Sequence, residues 1–336
     1  MNKKRIINFI VLLIAVVLML YFTLKDDFNS IVNEITKVNI FIYLIVIVLF
    51  LISHLFKAMS LKVFINEYHK YSLKKTYILA LISLFLNGVT PFQTGGQPFQ
   101  IYLLRKDKIR VTDSTNIMIK DSIAYQIALL LVAIIALLIN LNLGVCNGNH
   151  YLRLAVLIGF IINVVVLLFL LFVISAKKTG FKILNNILDF IFKFKIMKKF
   201  INKKKKLEES LVYFYENAKS ISKNKKSLLL GVTFHCIHLI ILYILPLLIF
   251  KSININVGIF ESFTCIAFVM LIGNFIPIPG ATGGIEYGFM QFFGNYVKGA
   301  SLSSAMLLWR FATYFFGLII GGIVLVLKKE DVKKCE

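Results

Sequence analysis

Pro91-Phe92-Gln93-Thr94-Gly95-Gly96 and Pro279-Gly280-Ala281-Thr282-Gly283-Gly284 share one punctuation, Pro-x-x-Thr-Gly-Gly, placed once in each half of a 336-residue chain. Proline lacks an amide donor and glycine relaxes the backbone, so each motif interrupts whatever regular element surrounds it. Here the surroundings are apolar: 77–89 and 98–104 flank the first motif, 258–276 and 285–293 the second. The two arms around the first motif are each too short to cross a bilayer, which takes roughly 20 apolar residues. Apolar segments broken in corresponding places of two halves point to the central site of a transporter built from inverted repeats.

Composition sets the environment. The chain is 59% hydrophobic with a mean hydropathy of +0.83, outside the range of an ordinary soluble domain. Its formal charge is +22, from 38 Lys and Arg against 16 Asp and Glu. The basic residues lie between apolar runs and not on one soluble face, so phospholipids with anionic headgroups are the expected partners and nucleic acid is not. Cys146, Cys236, Cys265 and Cys335 form no CxxC pair and show no metal-ligand spacing. The apolar run 6–24 behind Lys3, Lys4 and Arg5 is too long for a signal peptide and lacks a small-x-small cleavage site, so it reads as a retained first span.

The distribution of Lys and Arg orders the spans. Lys3, Lys4 and Arg5 put the N-terminus in the cytoplasm; span 6–24 exits, the acidic loop 25–39 is external and span 40–59 returns. Lys62, Lys70, Lys74 and Lys75 precede the first broken segment, and Arg105, Lys106, Lys108 and Arg110 follow it. Two cytoplasmic flanks require a re-entrant hairpin, and irregular backbone at that depth must be buried in protein or line a wet cavity. Spans 117–139 and 152–176 follow, then a segment 177–226 with fifteen Lys and four acids, then span 227–250. The second hairpin enters from outside, and span 301–327 returns to a cytoplasmic Lys328, Lys329, Lys333 and Lys334.

The expected fold is an all-α polytopic membrane protein with about six full spans and two re-entrant helical hairpins in an inverted repeat. Its N-terminal membrane half is 1–176 with a hairpin near 77–104; its C-terminal half is 227–336 with a hairpin near 258–293. Between them, 177–226 is a basic cytoplasmic segment. Phe181, Leu184, Leu188, Phe192 and Ile196 alternate there with lysines as an interfacial helix would, and Lys203 to Lys206 form a polybasic run. A solvated linker is the alternative.

The candidate site begins at the two tips: Pro91, Thr94, Gly95, Gly96 and Gln97 in the first, Pro279, Gly280, Thr282, Gly283 and Gly284 in the second. A half-helix starting after each tip would aim its positive end and free N–H groups at the cavity, where an anion such as a lipid phosphate fits. Thr94 and Thr282 are expected caps, and Gln97 is expected to precede a helix opening on Pro98. Glu286 and Arg310 are ionisable groups in apolar segments, which normally face a bundle interior. They are expected either to pair with each other or to leave Arg310 free to grip a phosphate. Lys120 and Asp121 lie near the cytoplasmic end of span 117–139, either flanking an entry route or snorkelling to the interface. His235 and His238, at i and i+3, read as interhelical hydrogen-bonding groups more than as metal ligands. No Walker A, G-x-S-x-G or H-E-x-x-H motif is present, so no catalytic residue, metal or cofactor is expected.

Thr90-Pro91-Phe92-Gln93-Thr94-Gly95-Gly96-Gln97-Pro98-Phe99-Gln100, Ile276-Pro277-Ile278-Pro279-Gly280-Ala281-Thr282-Gly283-Gly284-Ile285-Glu286 and Trp309-Arg310 together resemble the lysylphosphatidylglycerol synthase transmembrane, flippase-like family. This is the membrane domain of the multiple peptide resistance factor, and the resemblance spans essentially the whole chain. Many members carry Gly-Glu and a later Arg where this chain has Gly95-Gly96 and Gln100. The resemblance implies translocation of aminoacylated phosphatidylglycerol across the plasma membrane, with both termini cytoplasmic, and a contribution to cationic peptide resistance. It implies that lysyl transfer from tRNA belongs to a separate C-terminal synthase domain, for which a chain ending at Glu336 has no room. A separate synthase protein is thus a candidate partner, and a homo-oligomer is left open. Phosphatidylglycerol lysyltransferase by family label, and a small-solute or ion-coupled secondary transporter using Glu286, are the alternative functions.

Overall fold

The computed structural model describes residues 28–146, 149–175, 224–273 and 276–333. The expected span 6–24, the interfacial helix around Phe181 to Ile196 and the run Lys203 to Lys206 lie outside the described residues.

Among the described residues the chain is helical throughout: α1 (Phe28–Thr36), α2 (Ile40–Ile65), α3 (Leu73–Gly88), α4 (Gly96–Lys106), α5 (Val111–Leu143), α6 (His150–Ser175), α7 (Lys225–Ser252), α8 (Ile259–Gly273), α9 (Gly284–Phe293), α10 (Gly299–Arg310) and α11 (Phe316–Lys333). A π-helical turn, Phe311–Phe315, joins α10 to α11 without a break. Five stretches are long and apolar enough to cross a membrane: Ile40–Ile65, Val111–Leu143, His150–Phe172, Lys225–Ser252 and Gly299–Lys328. They coincide with the five expected spans that fall on described residues. The protein is an all-α, multi-pass membrane protein.

Local chemistry sets several boundaries. Asn39 caps α2, its Oδ1 accepting from the Phe41 and Ile42 amides at 3.1 and 3.3 Å. Ser72 caps α3 through the Lys75 amide at 3.3 Å, and α5 stops at Gly144, whose φ of 63° is left-handed. At 1.5 Å per residue the 33 residues of α5 reach about 50 Å, well beyond the hydrocarbon core. The outward face of α6 carries exposed Leu157, Ile161, Val165 and Leu168, as suits a helix in contact with lipid. One element differs from expectation. The loop 25–39 contains α1, which buries Ile31 and receives a 3.2 Å hydrogen bond from the Ser304 hydroxyl at the Ile31 carbonyl.

Both broken segments fold back on themselves. In the first, α3 packs against α4; in the second, α8 packs against α9. Hydrogen bonds fix which end of the bundle each hairpin opens toward. Tyr71, just before α3, donates to Asp107 Oδ2, just after α4, at 2.5 Å. Lys120 near the start of α5 pairs with Glu67 after α2, so these ends gather together. At the far end, Asn39 before α2 donates its amide to Ser252 of α7 at 2.7 Å. Asn295, just after α9, donates to the Val145 carbonyl beyond α5 at 3.1 Å. Since α2 and α5 each run between these two clusters, the two hairpins open toward opposite ends of the bundle. Their tips, Pro91–Gln93 and Pro279–Ala281, touch each other.

Candidate functional site

The two tips share one backbone. In each, a proline opens a single 3-10 turn and the next two residues take positive φ: Phe92 and Gln93 at 54°, Gly280 at 65° and Ala281 at 51°. In each, the threonine closes the turn by donating its hydroxyl back to the proline carbonyl, Thr94 to Pro91 at 3.1 Å and Thr282 to Pro279 at 3.0 Å. Left-handed backbone is unfavourable for residues with a Cβ, and such strain collects at functional sites. The threonines therefore lock the turns and do not cap the helices that follow. The tips diverge beyond this point: Gly95 has φ −73°, Gly283 has φ 92°. The second tip is also covered, with Pro279, Gly280, Ala281 and Thr282 buried, whereas Pro91, Phe92, Gln93 and Thr94 are exposed.

Three of the amides expected to be free at the half-helix starts are occupied. Gly95 donates to Thr90 Oγ1 at 2.9 Å and Gly96 to Asn87 Oδ1 at 2.7 Å. Gly283 donates to Glu286 Oε2 at 2.7 Å. The chain thus satisfies, from its own side chains, donors that an anion would otherwise take. Helix α4 begins at Gly96 and not after Gln97, which puts Pro98 third, where its missing N–H still costs no intrahelical bond. Gln97 reaches outward to Ser122 Oγ on α5 at 2.9 Å. Gly284 opens α9, close against Ile276.

Glu286 and Arg310 come together. Arg310 Nε lies 2.6 Å from Glu286 Oε1, both side chains being buried. The Nε–H does not point along that line, so the contact is ionic and not a formed hydrogen bond. Arg310 Nη2 donates to the Gly280 carbonyl at 3.2 Å and to Thr282 Oγ1 at 3.4 Å. The position of α9 follows from an aromatic stack: Trp309 on Phe289 with ring centroids 5.1 Å apart, and Phe289 on Phe293 at 4.4 Å. Stacked aromatics of this kind stabilise beyond their buried area and hold Glu286, one turn earlier, against Arg310. One turn later Tyr314 lies under the Arg310 guanidinium and donates to the Gly88 carbonyl at 3.1 Å.

A cavity with about 970 Å³ of empty space, part of it open to the outside, lies against this assembly. Tip residues Gln93 and Gly280, the side chains of Arg310 and Tyr314, and the opposite wall of His54, Lys57 and His238 line it. The remaining walls are largely apolar, with Leu84, Leu242, Ile266, Met270 and Ile285. Such a mixture suits an amphiphile with a charged end.

Lys120 and Asp121 do not reach out to an interface. Lys120 is 3% exposed, paired with Glu67, and sits 5.3 Å from the Tyr68 ring centroid. Asp121 accepts from Ser60 at 2.8 Å and contacts His235 Nε2 at 2.9 Å. His238 Nδ1 meets the Ser53 carbonyl at 2.8 Å, so both histidines tie α7 to neighbouring helices, as their spacing predicts. Among the described residues, no three His, Cys, Asp or Glu side chains are grouped as a metal site requires.

Sequence reasoning missed Lys57 and His54 on the wall facing the tips. The signal available was a lysine three residues after a histidine inside an apolar span. It is masked by Lys62, which makes the whole end of α2 read as a basic cytoplasmic flank.

Outside the membrane-spanning segments, Tyr71 is shifted. Burial, and then its hydrogen bond to Asp107, hold its hydroxyl protonated well above the usual tyrosine range.

These features define a multi-pass helical membrane protein in which two broken helices meet at a central, partly charged cavity. The chain belongs to the family described as Lysylphosphatidylglycerol synthase TM region, whose family model matches residues 8–321. The comparison with curated proteins finds no match.

Proposed function

We propose that this protein binds a phospholipid by its anionic headgroup in the cavity beside the two tips and carries it between leaflets. One observation carries the reading: two conformationally matched broken-helix tips touch each other at a cavity that joins cationic groups to apolar walls. Transporters with inverted repeats place their substrate where broken helices meet. Hairpins that open toward opposite ends of the bundle give each leaflet its own route to that point. Family membership supports phosphatidylglycerol or an aminoacylated form as the lipid. Outward movement of a lysylated, net cationic form at the plasma membrane, with both termini cytoplasmic, would contribute to cationic peptide resistance.

The test is leaflet exchange of labelled phosphatidylglycerol in proteoliposomes, with phosphatidylcholine as the control. Wild-type protein accelerates exchange of the anionic lipid over protein-free vesicles. Gly280→Ala and Arg310→Gln lose most of that acceleration while remaining folded. Equal exchange by wild type and both variants would remove the tips from the mechanism.

A further inference from the structure

The cavity contains two cations in opposite electrostatic situations. Arg310 is answered: Glu286 stands 2.6 Å from its Nε, and the oxygens of Gly280 and Thr282 take Nη2. Lys57, on the α2 wall, has no carboxylate within the ion-pair distance of 4.0 Å among the described residues. Asp121 acts on it only from farther away, and Asp121 Oδ1 is already engaged by Ser60 and His235.

The neighbours of Lys57 do not fill the gap. His54 Nδ1 lies 2.9 Å from the Phe50 carbonyl and His238 Nδ1 lies 2.8 Å from the Ser53 carbonyl. A carbonyl only accepts, so in both rings Nδ1 carries the hydrogen. The rings, 5.0 Å apart between centroids, thus present N–H donors to those carbonyls and have no negative charge to offer Lys57. A cation within an apolar span is costly unless a partner or a wet cavity receives it. Here the cavity receives it, and the complement of an ammonium in that position is an anion.

We infer that Lys57 is the anion-binding cation of the cavity, taking a phosphate oxygen, and that Arg310 is a positioning residue that clasps the second tip. The inference rests on the lipid reading above and names the group that holds the headgroup. A compact ammonium on a flexible stem suits it, because it can follow a phosphate that moves, whereas the Arg310 guanidinium is fixed by three protein partners. The shared ligand chemistry is a phosphate oxyanion, from a lipid headgroup or from free phosphate.

The experiment uses the full chain in phosphatidylcholine nanodiscs, titrated separately with phosphatidylglycerol and with inorganic phosphate, with retained ligand read by native mass spectrometry. Lys57→Gln weakens phosphatidylglycerol retention about tenfold or more, the worth of one charge-assisted hydrogen bond, while Lys57→Arg stays within a few fold of wild type. Retention of phosphatidylglycerol alone identifies a lipid site; competition by inorganic phosphate identifies a phosphate site of either source. Both outcomes support Lys57 when Lys57→Gln abolishes them. Should Lys57→Gln fail to fold, protection of the wild-type Lys57 amine from reductive methylation by added phosphatidylglycerol gives the same reading, and absence of protection overturns it. Unchanged retention in a folded Lys57→Gln overturns the inference and leaves the lipid reading standing. A wild-type protein that retains neither probe overturns both.

Discussion

Arg310 lies over the ring of Tyr314, its Cζ 4.3 Å from the ring centroid, and each of the two side chains holds a different hairpin. Arg310 donates to the Gly280 carbonyl and Tyr314 to the Gly88 carbonyl, at 3.2 and 3.1 Å. The π-helical turn Phe311–Phe315 starts directly after Arg310 and contains Tyr314. An extra residue in a turn re-aims the side chains around it, which is why such turns gather at functional sites. One helix can therefore grip both hairpins at once.

Removing one member of the Glu286–Arg310 pair leaves the other charge buried and unanswered. Arg310→Gln is expected to cost about 3–5 kcal/mol of stability, and adding Glu286→Gln recovers a large part of it. Thermal unfolding of the two single variants and the double variant in one detergent checks this. Tyr314→Phe keeps the ring under the guanidinium and loses the bond to Gly88, a cost of about 1 kcal/mol.

Gly280 and Gly283 separate backbone strain from steric closure. A Cβ at Gly280 would run into the Tyr314 ring and also sit at φ 65°. One at Gly283, at φ 92°, meets no atom within 4 Å. Both substitutions carry a conformational cost of about 1–2 kcal/mol. Only Gly280→Ala should also displace Tyr314 and slow leaflet exchange severely, and side-by-side exchange rates decide it.

Lys120 depends on a partner 53 positions away in the chain. Glu67→Gln leaves its ammonium buried and is expected to destabilise the fold by about 3–5 kcal/mol. Glu67→Gln with Lys120→Met should restore most of the loss. Unfolding midpoints at fixed lipid composition provide the readout.

Tyr71 supplies a pH dependence of known sign. Its folded-state pKa is raised above 10.0, so the stability it contributes is fully present below pH 10 and is lost as pH rises through the folded value. Tyr71→Phe should flatten that alkaline decline. Denaturation curves collected between about pH 9 and pH 11 test it.

The tips were legible because Pro-x-x-Thr-Gly-Gly dictates local backbone, and local backbone depends on neighbours in the chain. Glu286 and Arg310 were legible as interior charges, because ionisable groups in apolar segments are rare, but the sequence left open whether they pair or Arg310 stays free, and packing decides for the pair. The depth of Lys120 was not, since Glu67 becomes its neighbour only through the packing of α2 against α5. The occupied amides at Gly95 and Gly96 were hidden for the same kind of reason. Their acceptors, Thr90 and Asn87, precede the break and come within reach only when the arm folds back. Helix α1 was missed because its hydrophobic content is slight, and its stability comes from Ile31 docking on α10.

Two hairpins entering from opposite leaflets place the open ends of their arms on opposite faces of the membrane. Single-cysteine labelling with an impermeant thiol reagent, in a background lacking the native cysteines, reads this directly at two exposed positions, Arg105 in the last turn of α4 and Lys298 after α9. Arg105→Cys should be labelled only from the cytoplasmic face and Lys298→Cys only from the outside. Labelling of both positions from the same face would contradict the inverted arrangement and the transport route built on it.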